Sequence, residues 1–246
     1  MKYKNSITVR HLTKKYGTKT AVDDISFDVE AGTVFALLGT NGAGKTTAVK
    51  CLCGLTEPDA GEIGYDTETG LRAPMDCREH FGLSPQENAV GMHLTVEENL
   101  RLMGKIYGVP HIPERTEQVL AQFGLTEERR TRGKALSGGM GRRLSIAMAL
   151  FSRPKVLFLD EPTLGLDVLA RRELWKIVES LRGQTTVLLT THYMEEAQAL
   201  ADRIAVMQKG KIAAMGTLDE LREQSGTDST ASLEDIFVRI MEGGSV

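Results

Sequence analysis

Residues 33–47 read TVFALLGTNGAGKTT, and this stretch predicts the fold of the chain. Its first part, TVFALLG, is a continuous apolar run that ends in glycine, which is typical of a buried strand in a parallel sheet. Residues 39–46 then match the spacing G-x-x-x-x-G-K-[ST], and a helical pattern covers residues 45–55. Because the motif stands between a strand and a helix, it meets both structural conditions for a loop that binds nucleotide phosphates.

The residue types of this loop suit phosphate chemistry. Its glycines allow backbone N–H groups to point into one concavity, which attracts an anion. We expect Lys45 to reach the β- and γ-phosphates and the Thr46 hydroxyl to bind Mg²⁺. A glycine-rich turn without a ligand is the alternative, and the flanking strand and helix argue against it. The predicted nucleotide-binding residues of the loop are Asn41, Gly42, Ala43, Gly44, Lys45, Thr46 and Thr47.

Two acidic residues end a second apolar run, VLFLDEP at residues 156–162. Asp160 is the predicted partner of Mg²⁺, through water, because Mg²⁺ keeps much of its hydration shell. Glu161 is the residue that we expect to polarise the attacking water beside the γ-phosphate. In isolation such an Asp-Glu pair would more often be a solvated turn, and the phosphate loop favours the catalytic interpretation.

Two further polar residues end strand-like runs. His192 closes TVLLTTH, a predicted core strand parallel to those that lead to Lys45 and Asp160. Ligands bind at the carboxyl ends of such strands, so we expect His192 to reach the γ-phosphate rather than to be structural. Gln86 closes FGLSPQ, where the core meets a helical region. It is predicted to be a ligand of Mg²⁺ or of water and a hinge, with an ordinary loop residue as the alternative.

The stretch LSGGM at residues 136–140 is a second place suited to a phosphate. A hydroxyl residue followed by two glycines at a helix start exposes N–H groups at the positive end of the helix dipole. The helical pattern after it has apolar residues at Leu144, Ala147, Met148 and Phe151, which predicts one buried face. A single small nucleotide does not require two such sites from one copy of the chain.

Composition excludes several classes of protein. The 246 residues are 41% hydrophobic and 26% charged, with a net charge of −3, which is typical of a soluble globular protein. Because no cluster of Lys and Arg stands out, we expect no nucleic-acid binding. The three cysteines, Cys51, Cys53 and Cys77, are predicted to be buried thiols rather than disulfides or metal ligands, consistent with a reducing cytoplasm. No run resembles a signal peptide or a transmembrane helix.

The other patterns alternate between strand and helix. Residues 6–30 predict a small antiparallel sheet, whereas residues 59–85 predict two glycine-marked turns and one short strand. Residues 95–122 have helical periodicity, and Thr95 followed by Glu98 fits a capping box. The C-terminal half alternates strands and helices and contains a β-hairpin that turns at Lys209-Gly210.

These patterns predict a single α/β domain with a P-loop ATPase core. We expect a mainly parallel sheet, an N-terminal antiparallel β subdomain and an inserted α-helical subdomain that contains LSGGM. The predicted boundaries are residues 1–87 and 153–220 for the core with the antiparallel subdomain, 88–152 for the helical subdomain and 221–246 for a short C-terminal helical tail.

Taken in order, these elements resemble the ATP-binding subunit of an ABC transporter, and the resemblance covers nearly the whole chain. LSGGM is its most discriminating element, because most other P-loop proteins lack it. The matching elements are Tyr16 as the aromatic A-loop, residues 39–47 as Walker A, Gln86 as the Q-loop, LSGGM as the signature, residues 156–161 as Walker B with its glutamate, LGLD at 164–167 as the D-loop and His192 as the switch histidine.

The resemblance implies a role for each of these residues. Tyr16 would stack on adenine, unless it is simply packed on the antiparallel sheet. Ser137, Gly138 and Gly139 would contact the γ-phosphate of ATP bound to the opposite subunit. Asp167 would lie at the dimer interface beside the partner's Walker A. Two ATP-binding cassettes, identical or different, would pack head to tail and enclose two ATP molecules with Mg²⁺.

Three positions depart from the commonest family pattern. Thr40, Thr46 and Met140 stand where proline, serine and glutamine are frequent. Thr46 keeps its hydroxyl and no catalytic group is lost, so a competent ATPase is expected. Residues 232–240, SLEDIFVRI, and residues 91–108 are similar to ATPases of drug, polysaccharide and lipid exporters and of sodium-efflux and A-type systems. Export is therefore predicted rather than import.

The resemblance also implies an integral-membrane transporter subunit as partner, which would hold the chain on the cytoplasmic face of the membrane. Residues 86–102 are the candidate docking region, in which Met92, Leu94 and Val96 either receive a partner helix or form internal core. The alternatives are a non-transport ABC ATPase that acts on ribosomes or DNA, and a regulatory subunit with little activity. A P-loop kinase or GTPase would lack LSGGM, and a GTPase would need N-K-x-D.

Overall fold

The computed structural model describes residues 5–67, 70–87 and 89–243. Their strands and helices alternate along the chain as an α/β protein. The strands are β1 (Asn5–Tyr16), β2 (Lys19–Glu30), β3 (Val34–Leu38), β4 (Ala60–Thr67), β5 (Gly70–Arg72), β6 (Phe81–Ser84), β7 (Val156–Asp160), β8 (Thr186–Thr191), β9 (Arg203–Gln208) and β10 (Lys211–Gly216). The helices are α1 (Lys45–Leu52), α2 (Val96–Ile106), α3 (Ile112–Gln122), α4 (Gly138–Leu150), α5 (Val168–Ser180), α6 (Met194–Leu200), α7 (Leu218–Ser225) and α8 (Leu233–Gly243).

The larger sheet has the strand order β10-β9-β3-β8-β7-β6. Strands β9, β3, β8, β7 and β6 are parallel, and β10 joins the edge as the second strand of an antiparallel hairpin. Every residue of β3, β7 and β8 is buried, which explains their continuous apolar sequences. The predicted parallel strands and the predicted hairpin are confirmed. The carboxyl ends of β3, β8 and β7 lie side by side, so the segments that follow them meet at one edge of the sheet.

The smaller sheet is antiparallel, with the order β2-β1-β4-β5. The predicted pairing within residues 6–30 is confirmed, but the prediction of one strand in residues 59–85 is wrong, because β4 and β5 lie there besides β6. Glycines interrupt β4, and only Ile63 and Tyr65 of this strand are buried, so its pattern resembled a turn. Gly61 permits the close approach to β1, since a Cβ there would lie 2.4 Å from the main-chain oxygen of His11.

Alternate residues of the central strands enter two different cores. Leu37 faces the antiparallel sheet and α1, whereas its neighbour Leu38 faces a cluster that joins the sheet to helices α2–α8. Phe27 of β2 stacks on Phe35 of β3 with 5.1 Å between ring centroids, so the two sheets share the first core. The two cores hold the larger sheet from both faces and leave its carboxyl edge free to form a site.

Helix α1 ends at Leu52, three residues before the predicted end, because the chain turns at Cys53 and Gly54, whose φ is 70°. All three cysteines are buried and free, as predicted. Among the described residues, no group of His, Cys, Asp and Glu side chains is spaced to hold a metal ion by itself. In the same part of the chain, the helices are too short or too polar to cross a membrane.

The helical region shows one confirmed prediction and one correction, and it decides one alternative that the sequence left open. The capping box of α2 is present, with Thr95 Oγ1 accepting from the Glu98 amide. The sequence predicts one buried face for α4, but the buried surface is wider, because Ser145 and Ile146 are buried as well. Helix α4 packs between the larger sheet and the other helices, so it has little free surface. Val96 is fully buried, so it cannot receive a partner helix.

Candidate functional site

The phosphate loop connects the carboxyl end of β3 to the start of α1 with little space around its backbone. Gly44 precedes the helix with φ 109°, and a Cβ there would lie 2.3 Å from the main-chain oxygen of Ala21. A Cβ on Gly39 would lie 2.5 Å from the main-chain oxygen of Met207. Glycine is therefore required at both positions because another backbone segment approaches closely, and at Gly44 also because of the positive φ.

Lys45 folds back over this loop. Its Nζ donates to the main-chain oxygens of Gly39, at 2.7 Å, and Thr40, at 3.3 Å. The same atom lies 3.0 Å from Oε1 of Glu161, and both side chains are almost fully buried. The ammonium group is thus held at the centre of the loop, with a carboxylate as its counter-ion.

Oxygen atoms meet beside the start of α1. The Thr46 hydroxyl donates to Asp160 Oδ1 at 3.1 Å, and the Thr190 hydroxyl donates to the same oxygen at 2.6 Å. Asp160 is buried at the end of β7, where it is paired in register with Thr190 of β8. A hydroxyl and a carboxylate at one point fit a hard cation such as Mg²⁺, which prefers oxygen ligands.

Glu161 is held from three sides. Its backbone has φ 50°, uncommon for a residue other than glycine, and its amide donates to the Thr190 hydroxyl at 3.0 Å. Its Oε2 atom lies 2.8 Å from Nδ1 of His192, while Oε1 contacts Lys45. The carboxylate is therefore oriented by an imidazole and an ammonium group, neither of which is near it in sequence.

These residues surround a cavity of about 360 Å³. Of the predicted site residues, the loop from position 41 to 47, Gln86, Glu161 and His192 line it, and Asp160 lies beside them below the surface. Gln86 is exposed and follows the end of β6. Tyr16 does not line the cavity, but it is 49% exposed and pairs across the β1–β2 hairpin with Lys19, which does.

LSGGM lies outside this cavity. Ser137 caps α4, since its hydroxyl accepts from the Met140 amide at 3.3 Å. Ser137 and Gly138 are exposed, and Gly139 is half-buried. Asp167 is also exposed and caps α5, with its carboxylate accepting from the Ala170 amide at 2.9 Å. Each of these two helix starts faces solvent on its own chain.

Two residues of the site were missed from the sequence. Thr190 hydrogen-bonds to both acids, and its place beside Asp160 follows only from the register of β7 and β8. Arg142 donates to the main-chain oxygens of Asp160 and Pro162, at 2.8 and 2.9 Å. Burial lowers its pKa to about 10 against the opposing effect of nearby carboxylates, so it stays protonated at neutral pH. A polar residue inside an apolar helix was its only sequence signal.

Comparison with known proteins gives a consistent result. The family described as ABC transporter matches residues 22–164. The chain is 45% identical to the daunorubicin resistance ATP-binding protein DrrA3 of Streptomyces coeruleorubidus, over 91% of this chain and 72% of that protein. It is 42% identical to the Nod factor export ATP-binding protein I of Ralstonia nicotianae, over 87% and 68%. A solved ATP-binding subunit of an ABC transporter superposes with a TM-score of 0.85 at 32% identity, covering 96% and 99%.

These similarities confirm the predicted α/β ATPase fold and the resemblance drawn from the motifs. They support the transporter interpretation over the ribosome- or DNA-associated alternative, because the matched relatives are resistance and export proteins. The chain belongs to the ABC transporter family, as an ATP-binding subunit whose ATPase activity is coupled to transport.

Proposed function

We propose that the chain powers export through a separate integral-membrane subunit, with each ATP held between the phosphate loop of one copy and LSGGM of a second copy. This proposal rests on the position of LSGGM. It is exposed at the start of α4, yet it lies outside the cavity that its own phosphate loop lines. A second molecule is needed to bring the two elements to one phosphate.

The residues of the cavity fit ATP and Mg²⁺. The loop from position 41 to 47 would hold the phosphates with its backbone N–H groups and Lys45. Thr46, Asp160 and Gln86 would hold Mg²⁺, directly or through water. When bound, Mg²⁺ neutralises charge on the phosphates and orients them for displacement. Tyr16 would stack on adenine from the half-exposed end of the β1–β2 hairpin.

Hydrolysis then depends on separating Lys45 from Glu161. Phosphate oxygens replace Glu161 as the counter-ion of Lys45, which frees the carboxylate. Glu161 accepts a proton from water as the water oxygen attacks the γ-phosphorus and ADP leaves. His192 orients that carboxylate through the 2.8 Å contact and, once Glu161 turns, reaches the γ-phosphate itself. Because the side chains of Lys45 and Glu161 are almost fully buried, bulk water has little access to them.

A second copy of the same chain is the proposed cassette partner. This one sequence contains every group that both composite sites need, so two copies complete two competent sites. Ser137, Gly138 and Gly139 would contact the partner's γ-phosphate, and Asp167 would lie beside the partner's phosphate loop. Val168 and Leu169 follow Asp167, and Leu169 is 74% exposed, so this surface offers apolar area to bury.

Closure of such a dimer requires the region with LSGGM to move against the nucleotide site. We assign residues 88–152 to a helical subdomain, residues 1–87 and 153–220 to the core with its antiparallel subdomain, and residues 221–246 to a tail whose last three residues lie outside the described part. ATP would favour the closed state because each nucleotide contacts both chains.

The membrane partner would dock on the exposed side of α2. Leu102 and Ile106 are one turn apart there, and Ile106 is 64% exposed. Met92, in the segment before α2, is 54% exposed. The names of the relatives describe drug resistance and Nod factor export, which supports export over import. In this arrangement the partner holds the chain at the cytoplasmic face of the membrane.

Affinity purification in mild detergent tests this function. The tagged chain should recover an integral-membrane protein in stoichiometric amount, and the double variant Leu102→Glu/Ile106→Glu should lower the recovery about tenfold. Val238→Glu is the control, because Val238 on α8 is 45% exposed, close to the 42% of Leu102. Recovery of ribosomes, or loss of the membrane protein with the control alone, would contradict the proposal.

A further inference from the structure

Arg142 is the most highly connected buried cation beside the nucleotide cavity. It belongs to α4, five residues after Ser137, and is only 3% exposed. Its guanidinium donates to the main chain of two separate segments, the end of β7 with its following turn and the stretch after β6. Nη2 donates to Asp160 at the end of β7, Nε donates to Pro162 in the following turn, and Nη1 donates to Gln86 at 3.4 Å and to its neighbour Pro85.

This arrangement joins both ends of the proposed mechanism. Gln86 and Asp160 belong to the nucleotide cavity, whereas Ser137 starts the surface that would face a second chain. Arg142 and Ser137 are about 7.5 Å apart along the axis of one helix. Because a helix of this length moves as a rigid body, displacement of the Gln86 segment displaces the start of α4 as well.

The surroundings of Arg142 offset its positive charge. Its hydrogen bonds go to neutral carbonyl groups, and the carboxylates of Asp160, Glu161 and Glu196 offset its charge from nearby. The planar guanidinium carries five donors in a fixed fork, so it can span both segments at once. A lysine ammonium at this position would keep the charge but lose the simultaneous contacts.

We propose that Arg142 is a positioning residue that couples nucleotide occupancy of its own cavity to the placement of LSGGM. In its absence each chain still binds nucleotide, but the signature is no longer held where a second chain's ATP needs it. This inference rests on the proposed function, since it concerns the use of LSGGM between two chains.

Arg115 provides a matched control. It also donates to main-chain oxygens, from Nε to Phe151 at 3.0 Å and from Nη2 to Leu150 at 2.8 Å. These oxygens lie at the opposite end of α4, away from the nucleotide cavity. Arg115→Lys therefore removes the same kind of contact from the same helix without touching Gln86 or Asp160.

The test uses the Glu161→Gln protein as parent, so that ATP is not consumed. Fluorescent ADP measures nucleotide binding at low protein concentration, and sedimentation measures dimerisation with ATP and Mg²⁺. Arg142→Lys and Arg142→Gln should leave the Kd for ADP within about twofold and weaken dimerisation at least about tenfold. Arg115→Lys should leave both constants within about twofold.

Three results would overturn the inference. They are unchanged dimerisation of both Arg142 variants, an equal loss of ADP binding and dimerisation, and the same defect in Arg115→Lys. A parent that stays monomeric with ATP would contradict the proposed function itself, and the inference with it.

Amide hydrogen exchange adds a measurement that leaves Arg142 in place. In the Ser137→Arg protein, which the proposed function keeps monomeric, ATP with Mg²⁺ should protect the amides of residues 138–143 together with the amides present in residues 84–87, which are those of Ser84, Gln86 and Glu87. Protection confined to residues 84–87 would overturn the coupling even if the Arg142 variants fail to fold.

Discussion

The Nζ atom of Lys45 lies 3.0 Å from Oε1 of Glu161, so the phosphate-binding cation and the proposed general base form a buried ion pair. On the far side of the carboxylate, Oε2 contacts His192 at 2.8 Å. ATP must compete with Glu161 for Lys45, because one ammonium group cannot stay paired with the carboxylate and also serve the phosphates. In the proposed mechanism, the pair therefore keeps Glu161 inactive as general base until phosphates replace it.

Glu161→Gln should abolish hydrolysis and strengthen ATP binding. The glutamine side chain cannot accept the proton from water, so we expect kcat to fall by about a hundredfold or more. It also removes the negative charge that competes for Lys45, so the Kd for ATP should fall. Glu195→Gln is the control, because Glu195 is exposed and forms only a long ion pair with Arg171, at 3.7 Å. Hydrolysis at the wild-type rate by Glu161→Gln would show that another group is the base.

Thr46→Val should raise the Mg²⁺ concentration required for hydrolysis by about tenfold or more, because it removes the hydroxyl that contacts Asp160 while keeping the shape of the side chain. Thr46→Ser keeps the hydroxyl and should remain close to wild type. The measurement is a Mg²⁺ titration of ATPase activity at saturating ATP. Equal titration curves for the valine and serine variants would contradict the Mg²⁺ assignment.

Gly44→Ala should prevent nucleotide binding and lower stability. The added Cβ would meet the main-chain oxygen of Ala21 at 2.3 Å, and the positive φ costs about another 1 kcal/mol. Gly108→Ala is the control, since Gly108 has a φ of 61° but no atom within 4 Å of its added Cβ. The two variants are compared by thermal unfolding and by nucleotide titration. A Gly44→Ala protein as stable as Gly108→Ala would show that the loop tolerates displacement.

Glu196→Gln should change how stability depends on pH. Burial raises the pKa of Glu196, whose Oε2 has no hydrogen-bond partner among the described residues. The folded state therefore holds a proton that the unfolded state releases, so this carboxyl group destabilises the fold increasingly as pH rises from the usual glutamate pKa. The variant should gain free energy of unfolding relative to wild type as pH rises above the usual glutamate pKa. Urea unfolding at a series of pH values measures this gain, and a difference that does not grow with pH would contradict it.

The sequence was sufficient where a functional residue ends an apolar strand. Lys45, Asp160, Glu161 and His192 each follow such a run, and parallel strands bring their carboxyl ends to one edge. Contacts between strands could not be predicted from the sequence, because packing sets the register of neighbouring strands. Thr190 was missed for that reason. The ion pair of Lys45 with Glu161 was missed in the same way.

Other parts of the fold escaped prediction for local reasons. Strand β4 resembled a turn because it contains two glycines, but Gly61 serves close backbone approach to β1 and Gly64 lies against the side chain of Leu71. Helix α4 is buried almost all round, so its apolar periodicity understated its burial and gave no indication that Arg142 is buried. The use of LSGGM by a second chain came from the family resemblance, since a single chain does not contain that contact.

The mass of the Glu161→Gln protein with ATP and Mg²⁺ shows whether LSGGM acts between two chains. Sedimentation equilibrium should give about 54 kDa, twice the 26.9 kDa mass of one chain. At protein concentrations too low for dimerisation, the double variant Glu161→Gln/Ser137→Arg should bind ATP with the same Kd as Glu161→Gln. At concentrations where Glu161→Gln dimerises it should stay at the mass of one chain, because the arginine would occupy the place of the partner's γ-phosphate. A dimer that forms equally well with Ser137→Arg, or a Glu161→Gln protein that stays monomeric with bound ATP, would contradict the account.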